Sequence, residues 1–354
     1  MIHILVEENY SKNSRFISLL EGISLYLRRR HDEYKVYKTP EELPADCRVV
    51  AVICQSQVWS VDMVAKLNSM NIHPLIFGFR NLDTMYSYSS LSPDYAKSAY
   101  RLVNNIIRGE PHSLAVLGYN PDSLPDRFKL SGIKYALKES GGSCEVFENG
   151  GDIVACFESF RTRAKDFDKI VCCNDSIAIL LISKYKELAQ DKEICSCTGE
   201  MLSRFLKSPY PVCRINYVMA GEKLASLYRF LSKGERISSI AMTLDMDFAC
   251  EDTTTVFTPA HNAVGSGNKV DFYGDSEICK IELLNAMLLD ADSTDIIILS
   301  ELEGGATYEE ISENHYISVN ALKYRTKKMM KNARVSSKKE LLSHLREYGL
   351  SFNE

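Results

Sequence analysis

The chain has 354 residues, of which 45% are hydrophobic and 25% are charged, and its formal net charge is -5. This length and composition favour an ordinary globular protein of two or three domains. No apolar stretch approaches the roughly 20 residues that a membrane-spanning helix needs, so we expect no membrane partner. The first residues, Met1–Val6, have the pattern of a strand and not of a signal peptide, which predicts a cytoplasmic protein.

The first 255 residues alternate short apolar runs with amphipathic stretches. The apolar runs predict strands at Ile2–Val6, Val49–Cys54, Leu75–Phe79, Leu114–Leu117, Glu145–Phe147, Ile170–Cys173, Ile194–Cys197 and Val212–Asn216. The amphipathic stretches predict helices at Arg15–Arg30, Tyr95–Ile107, Arg127–Ser140, Ser176–Leu188 and Ala220–Leu231. Such alternation predicts an α/β fold in which parallel sheets are flanked by helices. Because these strands exceed one comfortable sheet, we expect two lobes, with ligands at the carboxyl ends of the strands.

Eleven cysteines are spread through the chain, and two groups of them lie inside predicted strands. Cys172-Cys173 and Cys195-Ser196-Cys197 are the groups that could hold a metal or form a redox pair. Neither group has a CxxC spacing or paired histidines, so we interpret these cysteines as small core residues in a reducing compartment. We expect no metal and no cofactor.

Four segments in this part resemble the sensor domain of the LacI/PurR repressor family, which has the type I periplasmic-binding-protein fold. They are Tyr88–Tyr100, then Leu114–Gly118 followed by Asp126–Leu137, and Val171–Ala178 with its Asn174-Asp175 pair. The resemblance implies a small-molecule effector bound in a cleft between the two lobes. It covers about residues 1–255.

The resemblance also implies which residues contact the effector. Arg15 and Phe16 match a first-lobe pair at the cleft, and Lys129 stands where the family usually has an effector-binding arginine. Other family positions are matched by Arg127, Asn174, Asp175 and Thr198. Arg80 is a further candidate because it follows a predicted strand. Thr198 replaces a typical aspartate that accepts hydrogen bonds from sugar hydroxyls. This departure, together with Arg15 and Lys129, favours an anionic or strongly polar effector over the sugar-like one that the family resemblance implies. Each of these residues could equally be a surface charge or a contact between the lobes.

The tail of the chain separates its charges sharply. Between Ser318 and Lys339 there are eight Lys or Arg residues and no acid, whereas Glu282–Leu322 holds nine acids and neither Lys nor Arg. At about 100° per residue, the apolar positions of the basic segment share one face and its polar positions the other. The segment therefore predicts an amphipathic helix with a cationic face, which suits phosphate groups. A solvated lysine-rich surface helix is the alternative.

This tail resembles the LuxR/GerE-type DNA-binding domain from about Asp292 to Tyr348. The resemblance rests on three segments in register, 302–313, 317–325 and 335–341. It implies a helix-turn-helix whose second helix enters the major groove of double-stranded DNA. The residues that it and the cationic face assign to DNA are Ser318, Asn320, Lys323, Tyr324, Arg325, Lys327, Lys328 and Lys331. Two positions depart from the family: His315 replaces a leucine, and Arg334 replaces the glycine that ends the recognition helix.

The domain organisation follows from both resemblances. We predict an effector-binding sensor at 1–257, with a first lobe of about 1–109 and 215–245 and a second of about 110–214 and 246–257. Residues 258–276, which contain Gly and Pro, are the predicted linker, and 277–354 the predicted DNA-binding domain. The predicted helix at 277–289 is either a linker or dimerisation helix or part of the core of the DNA-binding bundle.

The sequence thus predicts a one-component transcription regulator that is not an enzyme. We expect a homodimer, because helix-turn-helix proteins usually read two half-sites. A phosphorylated or partner-controlled response regulator is the alternative, yet the strand Val49–Cys54 is followed by Gln55-Ser56 with no phosphoacceptor aspartate. An enzyme is disfavoured because no GxSxG, Walker, HExxH or GxGxxG motif lies in the strand and helix context that such motifs need.

Overall fold

Two six-stranded sheets organise the chain. The computed structural model describes residues 1–7, 14–54, 56–80, 82, 84–108, 112–199, 201–207, 209–234, 238–249 and 275–352. The strands are β1 (Ile2–Val6), β2 (Tyr34–Tyr37), β3 (Val49–Ile53), β4 (His73–Phe77), β5 (Ser89–Pro93), β6 (Ser113–Tyr119), β7 (Ser143–Glu148), β8 (Lys169–Cys172), β9 (Glu193–Gly199), β10 (Val212–Arg214), β11 (Ala241–Leu244) and β12 (Asp247–Ala249).

Each sheet forms the centre of one lobe. The first has the order β11-β5-β4-β3-β1-β2 and is parallel throughout. The second has the order β12-β10-β9-β8-β6-β7, and only its edge strand β12 runs antiparallel to its neighbour. The register places Ala51 of β3 between Ile4 of β1 and Leu75 of β4. The predicted two-lobed α/β fold is confirmed.

Helices cover both faces of both sheets. They are α1 (Ser14–Arg28), α2 (Gln57–Ser69), α3 (Tyr95–Ile107), α4 (Leu124–Ser140), α5 (Ile153–Arg161), α6 (Asp175–Lys184), α7 (Lys186–Ala189) and α8 (Tyr217–Leu231). Apolar side chains on each side of each sheet form a separate core. Strands buried on both faces read as continuous hydrophobic runs, and every residue of β3 is buried. The grouped cysteines of β8 and β9 are part of these cores, as predicted from the sequence.

The chain crosses between the lobes near Asp94, Ile215 and Asp245. The predicted first boundary at residues 109–110 is wrong. Helix α3 belongs to the second lobe, because its buried residues Leu102 and Ile106 pack in the same core as strands of the second sheet. The first crossover therefore lies between β5 and α3.

Helix α1, which begins at the predicted effector cleft, is fixed against α8 by two glycines. A methyl group added to Gly22 would lie 1.9 Å from the Val218 carbonyl oxygen, and one added to Gly221 would lie 2.0 Å from that of Leu19. Only glycine allows the two backbones to approach this closely. This contact sets the position of α1 and of the side chains at its start.

Residues 275–352 form five helices: α9 (Ser276–Leu289), α10 (Ser293–Gly304), α11 (Tyr308–His315), α12 (Val319–Asn332) and α13 (Lys338–Glu347). The predicted linker at 258–276 lies almost entirely outside the described residues. Helix boundaries follow the local sequence signals. Thr307 and Glu310 form the predicted capping box of α11, Gly305 ends α10 in the left-handed conformation, and Ser318 caps α12.

The helical bundle packs on the second lobe. Buried residues of α9 such as Ile278 and Ile281 belong to the same apolar cluster as Leu180 of α6 and Leu202 of the second lobe. A hydrogen bond adds to this contact, because the Asn285 side chain of α9 accepts from the Leu202 amide at 2.8 Å. The α9 helix therefore contributes to the core of the bundle and to its contact with the second lobe.

The described residues contain neither a membrane span nor a cluster of metal ligands. None of the helices in the described ranges is long and apolar enough to cross a membrane. Within those same ranges, no three His, Cys, Asp or Glu side chains are grouped so that they could hold a metal ion.

Candidate functional site

The α12 helix presents its basic face to solvent. Leu322, Thr326 and Met329 are buried in the bundle, which turns the opposite side of the helix outward. The side chains on that outer side are exposed: Asn320, Lys323, Tyr324, Lys327 and Lys331. Tyr324 is 72% exposed, a large fraction for an aromatic side chain. Ser318, the N-cap, lies at the start of the helix.

Two of the residues predicted to contact DNA are engaged within the bundle. The Arg325 guanidinium donates to both Asp292 oxygens at 2.9 and 2.8 Å and to Asp295 at 2.9 Å. These carboxylates raise the pKa of Arg325. Lys328 forms an ion pair of 3.0 Å with Asp290. Both basic side chains therefore lie between α12 and the turn that joins α9 to α10, where they hold α12 against acids of the bundle.

The two departures from the LuxR/GerE pattern have structural explanations. His315 lies 2.7 Å from a Glu301 oxygen, so a polar contact between α11 and α10 replaces the apolar contact that a leucine would make. Arg334 adopts the left-handed conformation with φ of 53°, the conformation that a glycine would supply at the end of α12. Tyr316, in the turn before α12, is also left-handed and is 96% exposed.

The second candidate site lies between the lobes, where α1 begins in the first and α6 in the second. Arg15 is 3.8 Å from Glu282 of α9. Its neighbour Phe16 is only 3% exposed and packs in the core of the first lobe. Phe16 therefore supports α1, whereas Arg15 carries the charge toward the cleft.

Lys129 is inside the second lobe. Its ammonium donates to Asp126 at 2.8 Å and to the Cys173 carbonyl at 2.9 Å. Burial lowers the pKa of Lys129, but the Asp126 carboxylate and nearby groups raise it by more, so the lysine stays charged. Thr198 points to the same carbonyl, with its hydroxyl 3.5 Å from the Cys173 oxygen. Lys129 and Thr198 thus meet at the carboxyl end of β8.

Arg80 lies where the two lobes touch. Its guanidinium is 4.6 Å from the centre of the Phe128 ring of α4 and 3.6 Å from Asp94 at the first crossover. The space around these residues, lined also by Tyr95 and Leu124, amounts to about 180 Å³ including open solvent. None of this space encloses room for even a water molecule, so this side of the cleft is closed to a sugar-sized molecule here.

The remaining effector candidates differ in environment. Asn174 caps α6 by accepting from the Ile177 amide at 3.2 Å, and Asp175 is buried and accepts from the Tyr210 hydroxyl at 2.5 Å. Arg127 is exposed on α4. The structure therefore gathers Lys129, Thr198 and the start of α6 at one edge of the second sheet, while Arg127 faces solvent.

Sequence reasoning missed three residues at this site. Glu282 contacts the cleft from the helical bundle, and no local pattern in α9 signals such a contact. Phe128 lies beside Arg127 and has no polar group that would mark it as a site residue. Arg214 ends β10, and its Nη2 donates to Ser203 at 3.1 Å. The rule that ligands bind beyond the carboxyl ends of strands could have identified Arg214.

Comparisons with known proteins identify the fold of the two lobes. No protein-family model and no curated protein matches the chain. The transcriptional regulator CelR in complex with cellobiose aligns with a TM-score of 0.57 and 13% identity, covering 70% of this chain and 83% of the regulator. A LacI-family regulator from Clostridium acetobutylicum gives 0.55 and 16% identity, covering 71% and 100% of the two chains. A sugar-binding protein of an ABC transporter from Bacillus halodurans gives 0.56 and 12%, covering 70% and 96%.

These likenesses define the class of fold. The two lobes have the periplasmic-binding-protein architecture, which is shared by LacI-family transcription regulators and by a transporter's binding protein. The solved structures named here are regulators and a binding protein, and none of them is an enzyme.

Proposed function

We propose that the chain is a one-component transcription regulator, which binds a small polar effector between its lobes and double-stranded DNA through α12. The observation that carries this proposal is the outward basic face of α12. Lys323, Lys327 and Lys331 recur along one outer side of the helix, with Tyr324 among them. Lysines at this spacing bind phosphates, whereas Asn320 and Tyr324 are suited to base edges.

The sensor half of the proposal rests on the fold. CelR was solved with cellobiose, and the Bacillus halodurans protein is a sugar-binding protein. A small polar molecule is therefore the class of effector that this architecture supports. Arg15 near the cleft favours an effector that also carries negative charge.

The contact between bundle and sensor gives a route for regulation. Helix α9 packs on the second lobe, and its Glu282 also lies near Arg15 of the first lobe. A change in the angle between the lobes therefore changes the contact between α9 and the first lobe. In a homodimer, such a change would alter the spacing of two recognition helices and hence the affinity for two half-sites. A coupling of about 1–3 kcal/mol is typical of such linked sites.

The test begins with selection of duplexes by the full chain from a random-sequence pool. Polarisation titrations of the selected duplex then compare the native protein with Lys323→Glu/Lys327→Glu. The matched control is Lys134→Glu/Lys138→Glu, which reverses two exposed charges at the same spacing on α4. We expect a loss of affinity of about 100-fold or more for the α12 variant and little change for the control.

The effector is tested by calorimetry against a panel of sugars, sugar phosphates and carboxylates, followed by DNA titrations with any ligand found. A ligand that shifts DNA affinity supports the proposal. Equal affinity losses in the α12 and α4 variants would contradict it, and DNA binding that depends on acetyl phosphate would favour the response-regulator alternative.

A further inference from the structure

A single carboxylate of the helical bundle contacts both lobes of the sensor. Glu282 lies on α9, and its side chain is about one-quarter exposed. One carboxylate oxygen accepts from the Ser176 hydroxyl of the second lobe at 3.1 Å. The other lies 3.8 Å from the Arg15 guanidinium of the first lobe. The bundle thus places a negative charge between the lobes.

The surroundings of this carboxylate form a site for an anion. Arg15 supplies a permanent positive charge and several N–H donors, and Ser176, which is 3% exposed, supplies a hydroxyl. Ser176 is in the first turn of α6, a helix of ten residues whose N-terminus favours negative charge. The acid in that turn, Asp175, accepts a hydrogen bond from Tyr210.

The same residues were assigned to the effector on sequence grounds. Arg15 and the Asn174-Asp175 pair beside Ser176 are candidate effector contacts. In the structure, the Glu282 carboxylate lies among these candidate effector contacts. An effector with a carboxylate or phosphate group would need the same donors, so the effector and Glu282 cannot both use them fully.

We propose that the Glu282 carboxylate is an internal ligand of the effector site, and that a small effector bearing a carboxylate or phosphate group displaces it from Arg15 and Ser176. This inference rests on the proposed effector-binding function. Displacement breaks the contact of Glu282 on α9 with Arg15 of the first lobe and leaves α9 attached to the second lobe through its apolar face. The Glu282 carboxylate then no longer joins the bundle to both lobes.

Linkage gives the direction of the effect. Because Glu282 and the effector compete for the same donors, removal of the Glu282 charge must strengthen binding of an external anion. A neutral glutamine of the same shape keeps the packing of α9 while it weakens the contact with Arg15. Glu282→Gln is therefore the informative substitution.

The experiment uses the full chain and two probes, inorganic phosphate and acetate, each compared with chloride at equal ionic strength. Thermal melting is followed for the native protein, Glu282→Gln, the double variant Arg15→Gln/Glu282→Gln, and the control Glu187→Gln. The control removes a surface ion pair of 2.7 Å with Arg161 on the second lobe. Circular dichroism confirms that each variant is folded.

We expect phosphate or acetate at about 10 mM to raise the melting temperature of the Glu282→Gln protein by about 2–4 °C. The native protein and the Glu187→Gln control should respond by less than about 1 °C, and the double variant should lose the response. A response to only one of the two anions also supports the inference, and it shows whether the site prefers a phosphate or a carboxylate. Equal responses of the native and Glu282→Gln proteins, or a response that survives in the double variant, would overturn the inference. Either result leaves DNA binding through α12 intact, because that activity is measured separately.

Discussion

Leu206 of the second lobe and Leu350 near the end of the chain form an antiparallel β-bridge. The Lys207 amide donates to the Gly349 carbonyl at 3.0 Å, and the Ser351 amide donates to the Phe205 carbonyl at 2.8 Å. Leu350 is fully buried in the apolar cluster that joins the bundle to the lobe. The bundle is therefore tied to the second lobe at its first helix and again just beyond its last.

The bridge predicts that loss of the Leu350 side chain weakens the full chain. Leu350→Ala should reduce the free energy of unfolding by about 2–4 kcal/mol, because it removes a buried side chain and leaves a cavity. Ile297→Ala is the matched control, since Ile297 is 38% exposed on α10. Urea unfolding of the two variants measures the difference. Equal losses would show that Leu350 is not packed between the bundle and the lobe.

Arg325 is expected to stabilise the bundle as well as lie near DNA. Arg325→Gln removes the guanidinium that satisfies Asp292 and the largely buried Asp295. We expect the free energy of unfolding to fall by about 1–3 kcal/mol. Lys323→Gln, on the exposed face of the same helix, should change it by less than about 0.5 kcal/mol. Urea unfolding distinguishes the two, and an Arg325 variant as stable as the Lys323 variant would contradict the assignment.

Alkaline pH should destabilise the folded chain through its buried thiols. Burial raises the pKa of Cys54 to about 12, although a hydrogen bond with Ser60 lowers it in part. Burial also raises the pKa of Cys172, Cys173 and Cys195 well above the ordinary range. A free thiol titrates near about 8.5, so above that pH the unfolded chain releases protons that the folded chain keeps. The stability present below about pH 8.5 is then lost as the pH rises toward about 12.

Each such thiol should steepen the decline by about 1.4 kcal/mol per pH unit. Urea unfolding at about pH 8, 9 and 10 under reducing conditions measures the slope. Cys54→Ala should reduce the slope of stability against pH by about 1.4 kcal/mol per pH unit, which is the contribution of one thiol. A free energy of unfolding that rises across this range of pH would contradict the burial of these groups.

The sequence predicted the parts of the fold that carry strong local signals. Strands such as β3 and β8 are short apolar runs, and these runs alone predicted them. Strand β5 has the sequence Ser-Ser-Leu-Ser-Pro and no such run, yet all of its residues are buried because both neighbouring strands pair with it. The amphipathic pattern of α3 predicted a helix, but an apolar face does not specify which sheet it covers.

The sequence likewise predicted some features of the candidate sites and missed others. Helical periodicity places Lys323, Lys327 and Lys331 on one face of α12, and that face points outward as expected. The inward direction of Arg325 and Lys328 depends on acids contributed by α10 and the turn before it, which no pattern within α12 reveals. The Glu282 contact likewise joins residues that are 106 positions apart.

The most direct test of DNA binding through α12 is the salt dependence of affinity for a selected duplex. Polarisation titrations from about 50 to 200 mM salt give the slope of log affinity against log salt for the native protein and for Lys323→Gln/Lys327→Gln/Lys331→Gln. If the three lysines neutralise phosphates, the slope should become shallower by about 2–3 in the triple variant, since each phosphate that is neutralised contributes about 0.9. An unchanged slope in the triple variant would contradict the account, because it would place the DNA on another surface.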